Sequence, residues 1–369
     1  MSRPSPLDIQ ELVDHCIDCL AGSPYDLLSC ALVARAWVDG AQSHLLRRPH
    51  STNRHVEHAW DGSRIPEFYD TLVRYPHLAR HVDDLWVVAS RAEKLCHLNF
   101  TRLKCLSVVS HDPLPEAFRH LLSLPTLHHL EFTTFNRLEP AFPPPWKYCS
   151  TTIQHLTLFC VDLSGLTHAF PIIPGIQHIR LKSLWLDVDV GSETLNDLAL
   201  FPFDVSAIQA LGITTRISVP QVPFSTWTVQ VLVLYLTRGD DNDIHNLDLS
   251  SFPNLALLRI CLRSSLPPSL LTTLATIVPS QRIDTIALSF RDVLNPATPT
   301  DLDLVLSSLP LSPPPSFELV RADDQINLKL AFPTLFSKHL VRVSSRDDPG
   351  ASAFWTEEKL WWQRVVDKL

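Results

Sequence analysis

The stretch Ile153-Gln154-His155-Leu156-Thr157-Leu158 decides how this chain is read. Its apolar residues stand first, fourth and sixth. The last two share one side of an extended segment, because side chains alternate across a strand. The same spacing precedes it as Val82/Leu85/Val87, Leu103/Leu106/Val108 and Leu127/Leu130/Phe132. It follows as Leu181/Leu184/Leu186, Ile208/Leu211/Ile213, Val229/Leu232/Leu234, Leu255/Leu258/Ile260 and Ile283/Ile286/Leu288. First positions lie 21 to 28 residues apart. Between them run Pro-punctuated segments such as "LPEAFRHLLSLP" (114–125) and "LPPSLLTTLATIVP" (266–279), which stop elements abruptly. Strand, crossover and strand in that order pair in parallel. The expectation is an α/β chain with about nine short strands in one mostly parallel sheet.

These intervals fall within the range of leucine-rich repeats. From residues 68 to 345 the chain resembles an irregular leucine-rich repeat solenoid. Regular repeats carry Asn or Cys three residues after the last strand apolar. Here that position holds Ser90, His111, Phe135, Val161, Asp189, Arg216, Thr237, Arg263 or Arg291. Stacked repeats touch only their neighbours, so a chain of 369 residues needs no single large core. The resemblance also implies a concave face built from the residues beside the inward apolars. One column offers Trp86, Glu131, Trp185 and Arg259; the next offers Asp84, His129, His155 and Ser183. Trp86, His129, Glu131, His155, Trp185 and Arg259 are the candidate target-binding residues. Trp86 and Trp185 stand out, since a large exposed aromatic asks for a partner.

The N-terminus has a different rhythm. In "IQELVDHCIDCL" (9–20), Ile9, Leu12, Val13, Cys16, Ile17 and Leu20 make one apolar stripe at helical spacing. Gly22 and Pro24 break that helix. "DLLSCALVARAWVDGAQSHLL" (26–46) then supplies two more short helices, and three helices in about 40 residues make a marginal core. The run Glu11-Leu12-Val13, Ile17, Leu20, Leu27-Leu28, Leu32-Val33, Arg35 and Trp37 resembles an F-box over residues 7–48. It departs from the family where Asp8-Ile9 replace a Leu-Pro pair. The resemblance implies docking on the Skp-type adaptor of a cullin ubiquitin ligase. Leu7, Ile9, Leu12, Val13, Ile17, Leu20, Leu28, Leu32, Val33 and Trp37 are the implied adaptor-binding residues. Residues 49–67 read as a linker.

The C-terminal stretch 353–369 reads as a helix. Thr356 is its cap, with Glu357 and Glu358 in the first turn; Trp361, Trp362, Val365, Val366 and Leu369 share one face. It is expected to cover the far end of the repeats as a capping helix, with a partner-binding helix as the alternative.

Net charge is −8 and no Lys/Arg run tracks phosphates, so no nucleic acid partner is expected. The start of the chain has no apolar leader and no stretch has a membrane helix's length, so a cytoplasmic or nuclear setting without membrane contact is expected. The eight Cys then read as reduced thiols packed as small apolar side chains. Cys16-x-x-Cys19 lacks a second ligand pair, and no catalytic constellation or phosphate loop appears, so no metal, cofactor or catalytic residue is expected. Two functions fit. One is a substrate-receptor subunit of a cullin ligase, which leaves the first helix's stripe partly open for the adaptor. The other is a free-standing protein-binding scaffold, which buries it.

Overall fold

The computed structural model describes residues 10–21, 23–33, 35–47, 64–88, 93–110, 118–134, 150–159, 179–187, 203–214, 228–236, 247–262, 268–290, 299–321, 328–338, 340–345, 361–366 and 368. It is an α/β protein with a long parallel sheet of eleven strands and N-terminal helices. The chain divides into two compact units, one made of residues 1–131 and 148–152, the other of 132–147 and 153–369.

In the first unit, α1 (Gln10–Cys19), α2 (Pro24–Val33) and α3 (Arg35–Arg47) form the helical module. Val13, Ile17 and Leu27 are its buried centre, with Leu20, Trp37 and Leu45 packed around them. Gly40 lets α3 approach α1 closely: a Cβ there would lie 2.9 Å from the Ile17 Cδ1. α4 (Arg64–Arg74) and a 3₁₀ turn (Pro76–His81) lead into β1 (Asp84–Val88), β2 (Cys105–Ser110) and the start of β3 (His129–Thr134). β1 and β2 are parallel in the register Leu85↔Leu106 and Val87↔Val108. α4 begins inside the expected linker. Its buried Tyr69 donates a 2.7 Å hydrogen bond to the Trp86 carbonyl oxygen. α5 (Phe118–Leu122) lies in the first Pro-punctuated return, and Phe118, Leu121 and Leu122 are buried.

Asp83 ties the helical module to this sheet. Its carboxylate meets the Arg47 Nε at 2.9 Å, the Arg102 Nε at 3.3 Å and the Lys104 Nζ at 3.6 Å. Its N–H donates to the Arg47 carbonyl, at the last residue of α3. Taking a charged group out of water is costly unless it is paired in this way.

In the second unit the sheet order is β4 (His155–Phe159), β6 (Ser183–Asp187), β8 (Ala210–Thr214), β9 (Val231–Leu236), β10 (Leu257–Leu262), β11 (Thr285–Phe290), β12 (Ser316–Arg321) and β13 (Val341–Ser345). Every neighbouring pair in this series is parallel. Two short strands, β5 (Ile179–Arg180) and β7 (Phe203–Asp204), pair separately, also in parallel. The returns hold α6 (Pro268–Leu274), α7 (Pro299–Ser307), α8 (Leu328–Ala331) and α9 (Pro333–Ser337). A last helix spans 361–366.

All nine sequence triples are buried, from Val82/Leu85/Val87 to Ile283/Ile286/Leu288. β12 and β13 extend the series beyond the nine expected strands. Phe317↔Val341 and Leu319↔Val343 keep the spacing of the last two positions, but exposed Pro314 and Lys338 stand where the first apolar belongs.

The nine positions that depart from the regular Asn or Cys lie outside the described residues. A different device satisfies backbone groups where successive strands begin. In most triples the carbonyl of the residue after the first apolar accepts two N–H groups from the segment that enters the next strand. Asp83 accepts from Lys104 and Cys105, Gln154 from Lys182 and Ser183, and Lys182 from Gln209 and Ala210. Gln209, Gln230 and Ala256 do the same for Gln230 and Val231, Ala256 and Leu257, and Asp284 and Thr285. Main-chain groups impose no side-chain identity, so the sequence shows no ladder at this position. One buried side chain adds to it: Gln281 donates to the carbonyls of Leu249 and Phe252 and accepts from the Val278 N–H.

Candidate functional site

Two surfaces carry the residues singled out in the sequence. The first is the helical module. α1's stripe is wider than the module can bury. Val13 and Ile17 face inward, each 1% exposed, while Leu12 is 48% exposed. Cys16 and Cys19 continue the exposed line, one and two turns beyond Leu12. On α2, Leu27 and Cys30 are buried, whereas Tyr25, Leu28, Leu32 and Val33 are open, Leu32 to 87%. Val13 and Ile17 were expected near the adaptor-facing surface. They instead form the module's centre, because Gly40 brings α3 down onto Ile17. Cys16 and Cys19 were expected to pack as small apolar side chains; both are exposed. Leu20 and Trp37 are half-buried against the centre. Leu7 and Ile9 lie outside the described residues. Leu12, Leu28, Leu32 and Val33 are thus the expected adaptor-facing residues that stand open.

The second surface is the sheet face opposite the triples. It was expected to be open. In the first unit, Trp86 is half-buried, and His129 and Glu131 are buried. Glu131 accepts a 3.1 Å hydrogen bond from the Ser107 hydroxyl on the neighbouring strand. In the second unit, His155 is half-buried and 2.9 Å from the Ser183 hydroxyl. Trp185 and Arg259 are each 3% exposed.

The cause in the second unit is the helix 361–366. It lies on the face of the sheet, not at the far end of the strand series where a cap was expected. Trp362 meets Trp185 edge to face, with ring centroids 5.0 Å apart. Trp361 lies under the Arg259 guanidinium, 4.3 Å from carbon to ring centroid, a cation–π distance. Trp185, Ala210, Val233, Tyr235, Cys261, Trp362 and Val366 form one buried cluster, with Phe159, Val231, Trp361 and Val365 against it. The register explains the seat: Trp185↔Gly212↔Val233↔Arg259 is one outward column, and Thr214↔Tyr235↔Cys261 the next. Gly212 makes room in it. A Cβ there would sit 2.3 Å from a carbon of the Trp185 ring.

One sequence signal did announce this seat. β9, "VLVLYL", is apolar on both sides, as a parallel strand covered on both faces reads. β4, "HLTLF", alternates more clearly.

Burial first, and the Glu93 carboxylate second, push the Cys96 thiol up to about 11, so it stays protonated at neutral pH. Among the described residues no helix is long and apolar enough to cross a membrane. In comparison with known proteins, no family model matches the chain, and no curated protein matches it.

Proposed function

We propose that this chain is the substrate-receptor subunit of an SCF-type cullin ubiquitin ligase. The helical module docks on the Skp-type adaptor, and the leucine-rich-repeat-like sheet domain holds a target protein. The observation that carries this reading is the open apolar face of the module. A helical cap that served only its own domain would bury its stripe. Here Leu12, Tyr25, Leu28, Leu32 and Val33 are all exposed, and scattered single apolar residues are ordinary whereas five on two adjacent short helices call for a cover. The F-box-like run of the same helices supplies the kind of partner. Catalysis in this reading belongs to partner subunits, and the chain acts by proximity, raising the target's local concentration near the charged ubiquitin carrier.

The test is direct binding of the purified full chain to a purified Skp-type adaptor by calorimetry. Leu28→Asp with Leu32→Asp removes binding while circular dichroism stays unchanged, because both side chains project into solvent. Absence of binding by the parent chain defeats the receptor reading and leaves the free-standing scaffold.

A further inference from the structure

The seat under helix 361–366 shows two properties at once. It takes an aromatic helix, and some of its buried polar groups have no partner among the described residues. Gly212 opens a slot into which the Trp185 ring settles, and Ala210, Val233, Tyr235 and Cys261 make an apolar floor. Trp362 and Val366, one turn apart, bury their side chains in it, and Trp361 takes the Arg259 cation. Yet three buried polar groups lack a hydrogen-bond partner among the described residues: the indole N–H of Trp185, the indole N–H of Trp362 and the Thr214 hydroxyl. Trp185 and Thr214 belong to the seat itself and are 3% and 1% exposed. A buried donor without an acceptor keeps its full desolvation penalty. A ligand that brought an acceptor to the Trp185 indole would add a hydrogen bond that none of the described residues supplies.

We propose that the outward face of β6, β8, β9 and β10 is a binding site for an amphipathic helical segment of a target protein. In the free protein the helix 361–366 occupies that site as an intramolecular stand-in. The segment carries an aromatic side chain to enter the cluster around Trp185, a second for Arg259, and an oxygen acceptor for the Trp185 N–H. Binding displaces the stand-in, so the site is closed until a target of the right chemistry competes with it. The identity of the occupant as a target segment rests on the receptor reading above; the seat and its occupancy rest on geometry alone.

The experiment keeps the full chain. A protease site is placed among residues 346–353, the protein is cut there, and both pieces stay together in solution. A fluorescently labelled peptide of residues 354–369 is then added. The cut protein is expected to take up the labelled peptide. A peptide with Trp362→Ala is expected to bind at least about tenfold more weakly. The uncut protein is expected to bind at least about tenfold more weakly than the cut one, since its tethered helix competes at high local concentration. A second protein, the uncut chain carrying Trp362→Ala and Val366→Ala, opens the seat without a cut and is expected to bind the unmodified peptide. The proposal is overturned if neither protein takes up peptide, or if both lose cooperative thermal unfolding, which would make the helix an irreplaceable part of the core. No adaptor is present, so failure here leaves adaptor docking untouched.

Discussion

Single residues in this chain do their work by making space or by holding charge. Gly212 has no side chain because the neighbouring strand's Trp185 lies across it. Gly212→Ala is expected to push the indole out of its slot and lower stability by about 1–3 kcal/mol, as overpacking a filled site does. Near-ultraviolet circular dichroism, which reports the Trp environment, should change with it. An unaltered spectrum and melting curve would mean the ring has room the structure denies. His81 acts through protons. It is 4% exposed, and its Nε2 accepts a 3.1 Å hydrogen bond from the Arg80 Nε and lies 3.4 Å from the Asp39 Oδ1. Burial lowers its pKa from 6.5; Asp39 opposes this, while Arg80, Arg102 and His77 add to it. In the pH interval between the lowered value and 6.5 the unfolded chain binds more protons than the folded one, so stability rises with pH there. The contribution is complete above pH 6.5 and is lost as the pH falls below it. His81→Gln keeps an acceptor for Arg80 and should flatten the melting temperature between about pH 5.5 and 7.5. An unchanged slope would assign the pH response to another group.

Elements were legible where the apolar spacing was complete. Nine triples marked nine strands in correct register, since each first, fourth and sixth apolar is buried. β12 and β13 escaped because Pro314 and Lys338 interrupt the pattern at its first position. Exposure of the outward face could not be read from strand spacing. Period 2 separates two faces but does not say what covers the second one; that depends on a helix more than a hundred residues away in sequence. The two-sided strand β9 was the available hint. For the helical module, the stripe was right as a stripe and wrong in width: a helix packed on α2 and α3 along one side buries Val13 and Ile17 and leaves Leu12 and Cys16 outside. Leu156→Ala and Leu184→Ala, at paired positions of β4 and β6, should each destabilise by about 2–5 kcal/mol in thermal or urea unfolding. Leu28→Ala, at an exposed position of α2, should stay within about 0.5 kcal/mol of the parent. Equal effects for all three would break the assignment of inside and outside.

At the scale of the whole molecule, the first unit holds an open apolar helical module, and in the second the helix 361–366 covers the outward face of β6 to β10. The proposed function divides the chain by position: it assigns residues 10–33 to an adaptor and the face of β6 to β10 to a target. Hydrogen–deuterium exchange of the full chain with and without a purified Skp-type adaptor tests that division most directly. Protection that appears on α1 and α2 while the strands β6 to β10 exchange as before is the predicted result. Protection confined to the sheet, or no change anywhere at saturating adaptor, would contradict it.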